Sequence, residues 1–417
     1  MGFFSKYKKI LIIIAFLGLT ALIAFLLWKF FFAPVAPATP IDEAAVNIGG
    51  LNTAGEGGGN LSPSTGSGRL DNDNGLETNG SGIQEEDEIS DVAMGGKTSV
   101  SLVSADPVLN PTMSSDGQLR YYNRQDGKFY KLNANGDLVA LSDQIFNQVQ
   151  NVTWTNDGNK AILEYPDGSN TTYNFQTQKQ VTLPKHWESF SFSPSGEQIS
   201  AKSIGDDVEN RYLIVANADG SRASSLSAIG NNADDVYPIW SPNNQAAAMY
   251  TRGVDFNRQE VFFVGLNGEN FKSTIINGRG FEPQWSDKGD KLLYSVYSST
   301  SNLNPSLWIV NAQGDNIGQN RSNLGLNTWA SKCTFATNEE IYCAVPDNLP
   351  QGAGLFPELA DSSSDSLYKI NLQTGVKKLI AVPDGATNIS SIMVGEAQDS
   401  LYFTDKITGQ IYEIKLK

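Results

Sequence analysis

The sequence is poor in residues that commonly carry out catalysis. Its 417 residues include one histidine, His186, and two cysteines. A single imidazole excludes metal centres built from several histidines and argues against a histidine-dependent catalytic triad. No Gly-x-Ser-x-Gly stretch is present, so the nucleophile turn typical of many hydrolases is missing as well. We therefore expect His186, in "LPKHWESF", to be a surface loop residue.

Basic residues are also scarce. The chain has 30 lysines and arginines against 45 aspartates and glutamates, a formal net charge of −15. Residues 98–417 carry 24 basic and 34 acidic side chains, and no basic cluster is interleaved with aromatic residues. Binding to nucleic acid depends on a basic surface. The sequence therefore predicts no nucleic-acid partner.

Long apolar runs are lacking except near the amino terminus. Residues 10–28 are 19 uncharged, mostly apolar residues that follow Lys6, Lys8 and Lys9. Because about 20 such residues span a bilayer, we predict a transmembrane signal-anchor helix within 10–32, with a cleaved signal peptide as the alternative. Positively charged flanks stay in the cytoplasm. The remainder is predicted to be extracytoplasmic, in the periplasm or on the cell surface.

Residues 33–96 have little apolar surface to bury. They are rich in Gly, Ser, Asn and acidic residues, as in "GEGGGNLSPSTGSGRLDNDNGLETNGSG". Such a composition does not offset the entropy lost on ordering. We predict a flexible linker with a reach of roughly 40–50 Å. It would join the cytoplasmic stub and membrane helix of residues 1–32 to a folded domain over residues 97–417.

Beyond the linker the chain repeats itself. One unit is an apolar strand that ends in a turn, as in "FYKLNANGDLVAL" and "LWIVNAQGDNIGQ". The turn residue is Gln178 in one copy and glycine in the others, where positive φ suits a tight hairpin. The turn positions are 136, 178, 220, 268, 314 and 375. Most of these spacings match the period of one β-propeller blade.

A second unit precedes each of these turns by about 25 residues. In copies such as "VTWTNDGNKAILEY", an aromatic residue is followed by a turn and a second apolar strand. Each repeat would then supply four short antiparallel strands. We expect the aromatic residues to pack between neighbouring sheets; they are Trp154, Phe192, Trp240, Trp285 and Phe335.

Three stretches resemble the Pro-x-Trp-Ser-Pro-Asp-Gly repeat of TolB-type, WD40-like β-propellers. They are "YPIWSPNN", "FEPQWSDKG" and "SFSFSPSG", and the resemblance covers residues 108–417. The sequence departs from the repeat at Asn243 and Asn244, and again in "ATNEE". The resemblance implies a propeller fold and a TolB-like role in the cell envelope. TolB itself is normally soluble and carries an additional amino-terminal domain, and the fold hosts many functions.

The predicted fold is all-β, a seven-bladed β-propeller of four-stranded antiparallel blades. The last blade has only three strands of its own. We predict that "TSVSLVS" (98–104) supplies the fourth, because this pairing would cover an open sheet edge. Six blades, the number usual in TolB, is the alternative. The predicted blades span 108–145, 148–184, 188–228, 236–277, 281–325, 329–382 and 388–417.

The two cysteines flank one predicted turn. Cys333 and Cys343 lie on adjacent antiparallel strands in "CTFATNEEIYC", where a short loop would place them opposite each other. An extracytoplasmic domain is exposed to oxidising conditions. The sequence is compatible with a disulfide or with two buried free thiols.

Loops of unequal length indicate where a partner would bind. The connections between the second and third strands lengthen in blades 3 to 6 and lie on one face with the blade-to-blade connections. Elaborated surface loops commonly carry function. The longest is "VPDNLPQGAGLFPELADSSSD" (345–365). The residues predicted to bind a partner on this face are Asp206, Asp207, Trp187, Tyr237, Arg252, Asp255, Arg279, Phe281, Asp347, Phe356 and Glu358.

These features lead to one functional hypothesis and its alternatives. We predict a non-enzymatic, membrane-tethered protein that binds a protein, peptide or glycan of the cell envelope, without a cofactor. The charges on this face could equally be solvated residues without a partner. Calcium is the one metal its acids suggest, although no loop has regular ligand spacing. The alternative function is a carboxylate-dependent lyase or glycosidase with Asp235, Asp255 or Asp347 in the central funnel.

Overall fold

The structure, a computed structural model, describes residues 18–20, 22, 25, 88–133, 136–385 and 387–417. The first five of these residues are helical. The rest of the predicted membrane helix 10–32, and the predicted linker through residue 87, lie outside the described residues. Among the residues that are described, no helix is both long and apolar enough to cross a membrane.

Short strands account for most of residues 88–417. Two precede the first blade, β1 (Lys97–Thr98) and β2 (Ser101–Ser104). Blade 1 comprises β3 (Val108–Met113), β4 (Leu119–Asn123), β5 (Lys128–Leu132) and β6 (Leu138–Ala140). Blade 2 comprises β7 (Asn151–Trp154), β8 (Lys160–Glu164), β9 (Asn170–Asn174) and β10 (Lys179–Leu183). Blade 3 comprises β11 (Trp187–Phe192), β12 (Gln198–Ile204), β13 (Arg211–Asn217) and β14 (Ser224–Ala228).

The remaining blades continue the same order. Blades 4 and 5 comprise β15 (Val236–Tyr237), β16 (Ala248–Asp255), β17 (Arg258–Val264), β18 (Thr274–Asn277); and β19 (Arg279–Trp285), β20 (Lys291–Tyr297), β21 (Pro305–Asn311), β22 (Ser322–Asn323). Blades 6 and 7 comprise β23 (Cys333–Thr337), β24 (Glu340–Pro346), β25 (Asp365–Asn371), β26 (Lys377–Pro383); and β27 (Ile389–Val394), β28 (Ser400–Asp405), β29 (Ile411–Lys415). The described 3-10 helices are Val208–Asn210, Gly230–Asp235, Ser299–Ser301, Gly314–Asn316, Ala330–Lys332 and Pro357–Ala360.

The blades form a seven-bladed β-propeller. In each blade consecutive strands pair antiparallel in chain order, and the first strands of several neighbouring blades contact one another. Strand β2 pairs antiparallel with β29 and completes blade 7. The prediction of seven four-stranded blades is confirmed, and the six-blade alternative is wrong.

The amino-terminal segment pairs with strands of two blades, blade 6 and blade 7, rather than with one. Ahead of β2, strand β1 pairs in parallel with β26, so that Thr98 faces Pro383 in blade 6. The backbone N–H of Ala93 donates to Lys415 O at 2.9 Å. We call residues 90–104 the amino-terminal clamp. The sequence predicted one strand over 98–104; the structure divides it between blades 6 and 7 and begins the contacts before residue 97.

Aromatic residues fill the spaces between blades, as predicted. Trp285 packs with residues of blades 4 and 5, and Phe335 with residues of blades 5 and 6. Trp154 lies edge-on to Phe129, with ring centroids 5.4 Å apart. Burial of each large apolar side chain stabilises the fold by about 1.5–3 kcal/mol. The core is therefore divided into clusters between successive blades.

The six predicted turn positions all have positive φ. Gly136 has a φ of 84° and Gly375 of 71°, as the repeat requires. Gln178 adopts the same conformation with a φ of 56°, although it carries a side chain. The turn geometry is thus retained where glycine is lost.

Cys333 and Cys343 face each other on β23 and β24. Their Cα atoms are 4.1 Å apart, and the two sulfurs are joined in a disulfide. Both residues are buried. The bond therefore lies inside blade 6, next to the long connection of that blade.

Candidate functional site

The two faces of the propeller are built differently. The connections from the first to the second strand and from the third to the fourth form what we call the turn face. Most of them are short turns; the longer ones are 238–247 and 265–273 in blade 4 and 312–321 in blade 5. The opposite face, the loop face, carries the second-to-third-strand connections and the blade-to-blade connections. Its longest connection lies in blade 6, over residues 347–364.

One predicted loop is a β-hairpin instead. In blade 4, β16 and β17 continue to Asp255 and Arg258, which pair with each other. Only Phe256 and Asn257 separate the strands. The prediction that the second-to-third-strand connection lengthens is wrong for blade 4, because strand pairing extends outward to a two-residue turn.

Hydrogen bonds and an ion pair join the loop-face connections of neighbouring blades. The backbone N–H of Ser299 donates to Asn257 Oδ1 at 3.2 Å, which joins blades 4 and 5. The N–H of Gly354 donates to Leu303 O at 2.8 Å, which joins blades 5 and 6. The Lys406 ammonium forms an ion pair with Asp361, which joins blades 6 and 7. We call residues 251–259, 298–304, 346–364 and 405–409 the loop platform.

The loop platform exposes apolar side chains. Phe256 is 73% exposed, Phe356 is 51% exposed and Ile407 is 72% exposed. Leu355 and Leu359 are also exposed, beside Phe356 in the long connection. Exposed aromatic and aliphatic residues held by an ordered backbone are typical of binding surfaces.

Several predicted site residues are exposed on the loop face. Asp206 and Asp207 lie in the connection of blade 3, before the 3-10 helix Val208–Asn210. Glu358 and Phe356 are exposed in the connection of blade 6. These residues are accessible to a partner.

Others are engaged in pairs within the protein. Arg252 Nη2 lies 2.7 Å from Glu260 Oε2, with its guanidinium 4.9 Å from the Phe262 ring centroid. The Arg258 guanidinium holds the pKa of Asp255 below its usual range, at an N–O distance of 2.6 Å.

The other acids proposed for a funnel enzyme also have partners. Asp347 accepts a hydrogen bond from Ser366 Oγ at 2.6 Å. Asp235 accepts one from Thr251 Oγ1 at 3.3 Å. Arg279, a predicted binding residue, is half-buried as the first residue of β19.

Two predicted aromatic anchors lie in the core. Trp187 is 6% exposed between blades 2 and 3, and Phe281 is 3% exposed between blades 4 and 5. Tyr237 is half-buried and packs edge-on against Phe281, with ring centroids 5.5 Å apart. All three sit in the first strands of their blades, where the pleat turns the side chain toward a neighbouring sheet. The prediction that they are exposed anchors is corrected accordingly. His186 is exposed between β10 and β11, as expected.

Sequence reasoning missed a pocket on the loop face. It has a volume of about 220 Å³ and is lined by residues of blades 5, 6 and 7. We call it the blade 6 pocket. Its lining residues are Glu282, Trp329, Ser331, Lys332, Pro357, Ala360, Asp361, Asn388, Ser390 and Lys406. Because they come from distant parts of the chain, no local motif indicated it.

A buried ion pair forms one side of this pocket. Lys332 Nζ lies 3.0 and 2.9 Å from the two carboxylate oxygens of Asp365, and 3.3 Å from Asn388 Oδ1. The Asn388 amide in turn donates to Ala360 O at 2.9 Å. All three donors of the ammonium are therefore in use.

The acid Glu164 was also missed. Burial raises the pKa of its carboxyl, and a hydrogen bond from the Asn151 amide acts in the opposite direction. Asn151 lines a cavity of about 680 Å³ beside the first strands of blades 7, 1 and 2. Among the described residues, no group of three or more acidic, histidine or cysteine side chains is placed to hold a metal ion.

No family model matches the chain, and no curated protein matches it. Solved structures do resemble it. The β-propeller domain of Cps50 (Swd1) from Myceliophteria thermophila is 12% identical, with a TM-score of 0.51, over 76% of this chain and 100% of that one. An oligogalacturonate lyase in complex with manganese is 11% identical, with a TM-score of 0.51, over 80% and 96% of the two chains. An oligogalacturonate lyase from Vibrio parahaemolyticus is 11% identical, with a TM-score of 0.50, over 76% and 93%. At these identities the likeness establishes the fold: the chain is a β-propeller, an architecture that lyases share with domains that are not enzymes.

Proposed function

We propose that this protein is a non-enzymatic binding protein of the cell envelope, which takes a protein, peptide or glycan partner on its loop platform. The observation that carries the proposal is the hydrogen-bonded continuity of the platform across blades 4 to 7. A surface already held in one conformation loses less entropy on binding. Its exposed Phe256 and Phe356 are the aromatic type that anchors protein interfaces.

The location in the envelope is proposed from the sequence. The apolar run of residues 10–28 and the three lysines before it favour a single-pass anchor with the propeller outside the cytoplasm. The motif resemblance to TolB-type propellers supports a role in envelope assembly or maintenance. A tethered propeller would act on partners close to the membrane.

Cross-linking in intact cells tests the proposal. The full-length chain, Phe356→Ser and Phe256→Ser would be compared, with Val376→Ser as the matched control. Val376 is 62% exposed on the turn face, between β25 and β26. We expect the wild type and Val376→Ser to give the same cross-linked partners and both phenylalanine variants to lose them. Equal recovery by all four proteins would show that the platform is not the binding surface.

An enzyme with its site in the central funnel is the second candidate function, and Glu164 favours it. Its carboxyl, whose pKa is raised by burial, bonds to Asn151 at the wall of the 680 Å³ cavity, and a carboxyl of raised pKa is suited to general acid catalysis. The test is incubation of the full-length chain and Glu164→Gln with acidic and neutral oligosaccharides. Cleavage by the wild type that the variant lacks would replace the binding proposal.

A further inference from the structure

We propose that the blade 6 pocket binds a positively charged side chain, arginine or lysine, presented by a protein partner on the loop platform. This inference rests on the proposed binding function and names the partner chemistry. It depends on the walls of the pocket, its balance of charge, and the way one carboxylate is held.

The walls suit the aliphatic part of a long side chain. Trp329 is half-buried, and Pro357 and Ala360 supply further apolar surface. The Trp329 indole N–H makes no hydrogen bond within the described part of the chain. Arginine and lysine pack their methylene stems on such surfaces and place the charged end against a carboxylate. The Trp329 ring already has the Lys332 ammonium 5.6 Å from its centroid, so the charged end of the ligand would lie against a carboxylate of the pocket.

One of the charged groups that line the pocket, a carboxylate, has no ion-pair partner. Lys332 is neutralised by Asp365, and Lys406 by Asp361. Glu282 has no ion pair among the described residues, and its one hydrogen bond comes from the Ser331 backbone N–H at 2.7 Å. A bound anion would be repelled by this carboxylate, and no unpaired lysine lines the pocket to offset the repulsion. A cation would complete the pairing, since charge-assisted contacts to carboxylates are the stronger hydrogen bonds.

The backbone holds Glu282 in place. The register of β19 and β20 shifts between Arg279 and Glu282, which marks a β-bulge. Gly280, within the bulge, has a φ of 65°, and a Cβ there would lie 2.4 Å from Tyr297 Cε1. Bulges re-aim side chains next to binding sites. Glycine at residue 280 therefore permits the bulge that precedes Glu282, and the Ser331 N–H holds one oxygen of its carboxylate.

The surroundings favour the same partner. On the loop face Asp206, Asp207 and Glu358 are exposed and form no ion pair among the described residues. Of the exposed bases on this face, Arg252 and Arg258 are already paired, whereas Arg124, in the connection between β4 and β5, forms no ion pair among the described residues. A surface of this kind attracts a basic partner and steers its approach.

Ligand-observed NMR tests the assignment with two matched probes. The full-length chain in detergent would be titrated with Nα-acetyl-arginine methylamide and with the neutral isostere Nα-acetyl-citrulline methylamide. We expect arginine to bind about tenfold more tightly, which is the loss expected for one hydrogen bond to a charged group. Glu282→Gln keeps the acceptor for Ser331 and should lower arginine affinity about tenfold, while citrulline binding is unchanged. The control, Glu396→Gln, removes an exposed acid on the turn face and should bind arginine as the wild type does.

Three outcomes would overturn the assignment. They are equal binding of the two probes, full arginine binding by Glu282→Gln, and binding of N-acetylglucosamine oligosaccharides that Trp329→Leu abolishes and Glu282→Gln does not. Unchanged thermal unfolding of Glu282→Gln would show that the variant is folded. If only these tests fail while Phe356→Ser still loses its partners, the proposed function stands without the cation site. If arginine binds but Phe356→Ser keeps its partners, the pocket stands and the loop platform does not.

Discussion

Lys332 and Asp365 form a buried ion pair that ties blade 6 to blade 7. Lys332 is 7% exposed and Asp365 is 1% exposed. One oxygen of Asp365 also accepts the backbone N–H of Ile389, in β27 of blade 7, at 2.6 Å. Because burial removes water from both groups, it raises the pKa of Asp365 and lowers the pKa of Lys332. The pair depends on its partners for stability in the charged form.

Removing one member of this pair should be worse than removing both. We expect Lys332→Met to lower the free energy of unfolding by about 3–5 kcal/mol, because a buried charge is left unpaired. Adding Asp365→Asn removes that charge and keeps an acceptor for Ile389, so it should restore more than half of the loss. Chemical denaturation of the wild type, both single variants and the double variant measures the coupling. Additive losses would contradict this account.

Tyr294 should tolerate the loss of its hydroxyl. Its side chain is fully buried, and its oxygen has no hydrogen-bond partner among the described residues. Burial raises the pKa of the phenol. We expect Tyr294→Phe to leave the free energy of unfolding unchanged or to increase it by about 1 kcal/mol. The control is Tyr173→Phe, which loses a 3.0 Å contact with Ser142 Oγ and should be destabilised by about 1 kcal/mol.

Gln178 should be a stabilising site for glycine. A residue with a side chain pays an energetic penalty of roughly 1–2 kcal/mol at positive φ, and glycine restores the residue found at the other turns. Because glycine gains entropy in the unfolded chain, we expect a net gain of about 0.5–1 kcal/mol for Gln178→Gly. Gln176→Gly, at an ordinary φ in the same turn, should be destabilising. The melting temperatures of the two variants test this. A rise for Gln178→Gly alone supports the turn geometry, and the same change in both variants would indicate a general effect of glycine.

The disulfide should contribute measurably to the stability of blade 6. Closing a loop between cysteines ten residues apart stabilises by about 2–3 kcal/mol through the unfolded chain. We expect the double variant Cys333→Ala, Cys343→Ala to lose about that amount in chemical denaturation. Reductant added during unfolding should lower the stability of the wild type and leave the double variant unchanged. Alkylation of both thiols in the folded, unreduced protein would contradict the bond.

Turn carboxylates should make the propeller sensitive to acid. Burial works to raise the pKa of Asp157, but hydrogen bonds from Thr155 Oγ1 at 2.5 Å and the Asn159 N–H at 3.0 Å outweigh it and lower that pKa below 3.8. The unfolded chain then takes up the proton more readily, so this stability is present above the unfolded pKa and is lost as pH falls through the folded one. We expect Asp157→Asn to be less stable than the wild type by about 1 kcal/mol at pH 7. The difference between the melting temperatures of the two proteins should shrink as the pH falls through the lowered pKa of Asp157.

The propeller could be predicted because its repeats are local. Each strand pair and turn lies within one blade, so the period of the turn residues and the aromatic positions carried enough information to count seven blades. Closure by residues 98–104 followed from a missing fourth strand. The parallel pairing of β1 with β26 did not follow, since it joins residues almost 300 positions apart and has no sequence pattern.

The candidate site was predicted only in outline. Loop length located the long connection of blade 6, but it did not distinguish a loop from the extended hairpin of blade 4. The side-chain direction of Trp187 and Phe281 depends on strand register, which a one-residue shift reverses. Glu282, Trp329 and Lys406 meet only through the packing of three blades, so their pocket required the folded structure.

The amino-terminal clamp closes the propeller ring, because β2 at the beginning of the domain pairs with β29 at its end. Proteolysis between the predicted membrane helix and Ser90 would release a propeller with all seven blades complete. A chain shortened past Ser104 would instead leave β29 as an unpaired edge along blade 7. Such an edge accepts a strand from another molecule. A released form that keeps the clamp therefore has its blade 7 edge covered, whereas a form without the clamp would be prone to strand exchange between copies.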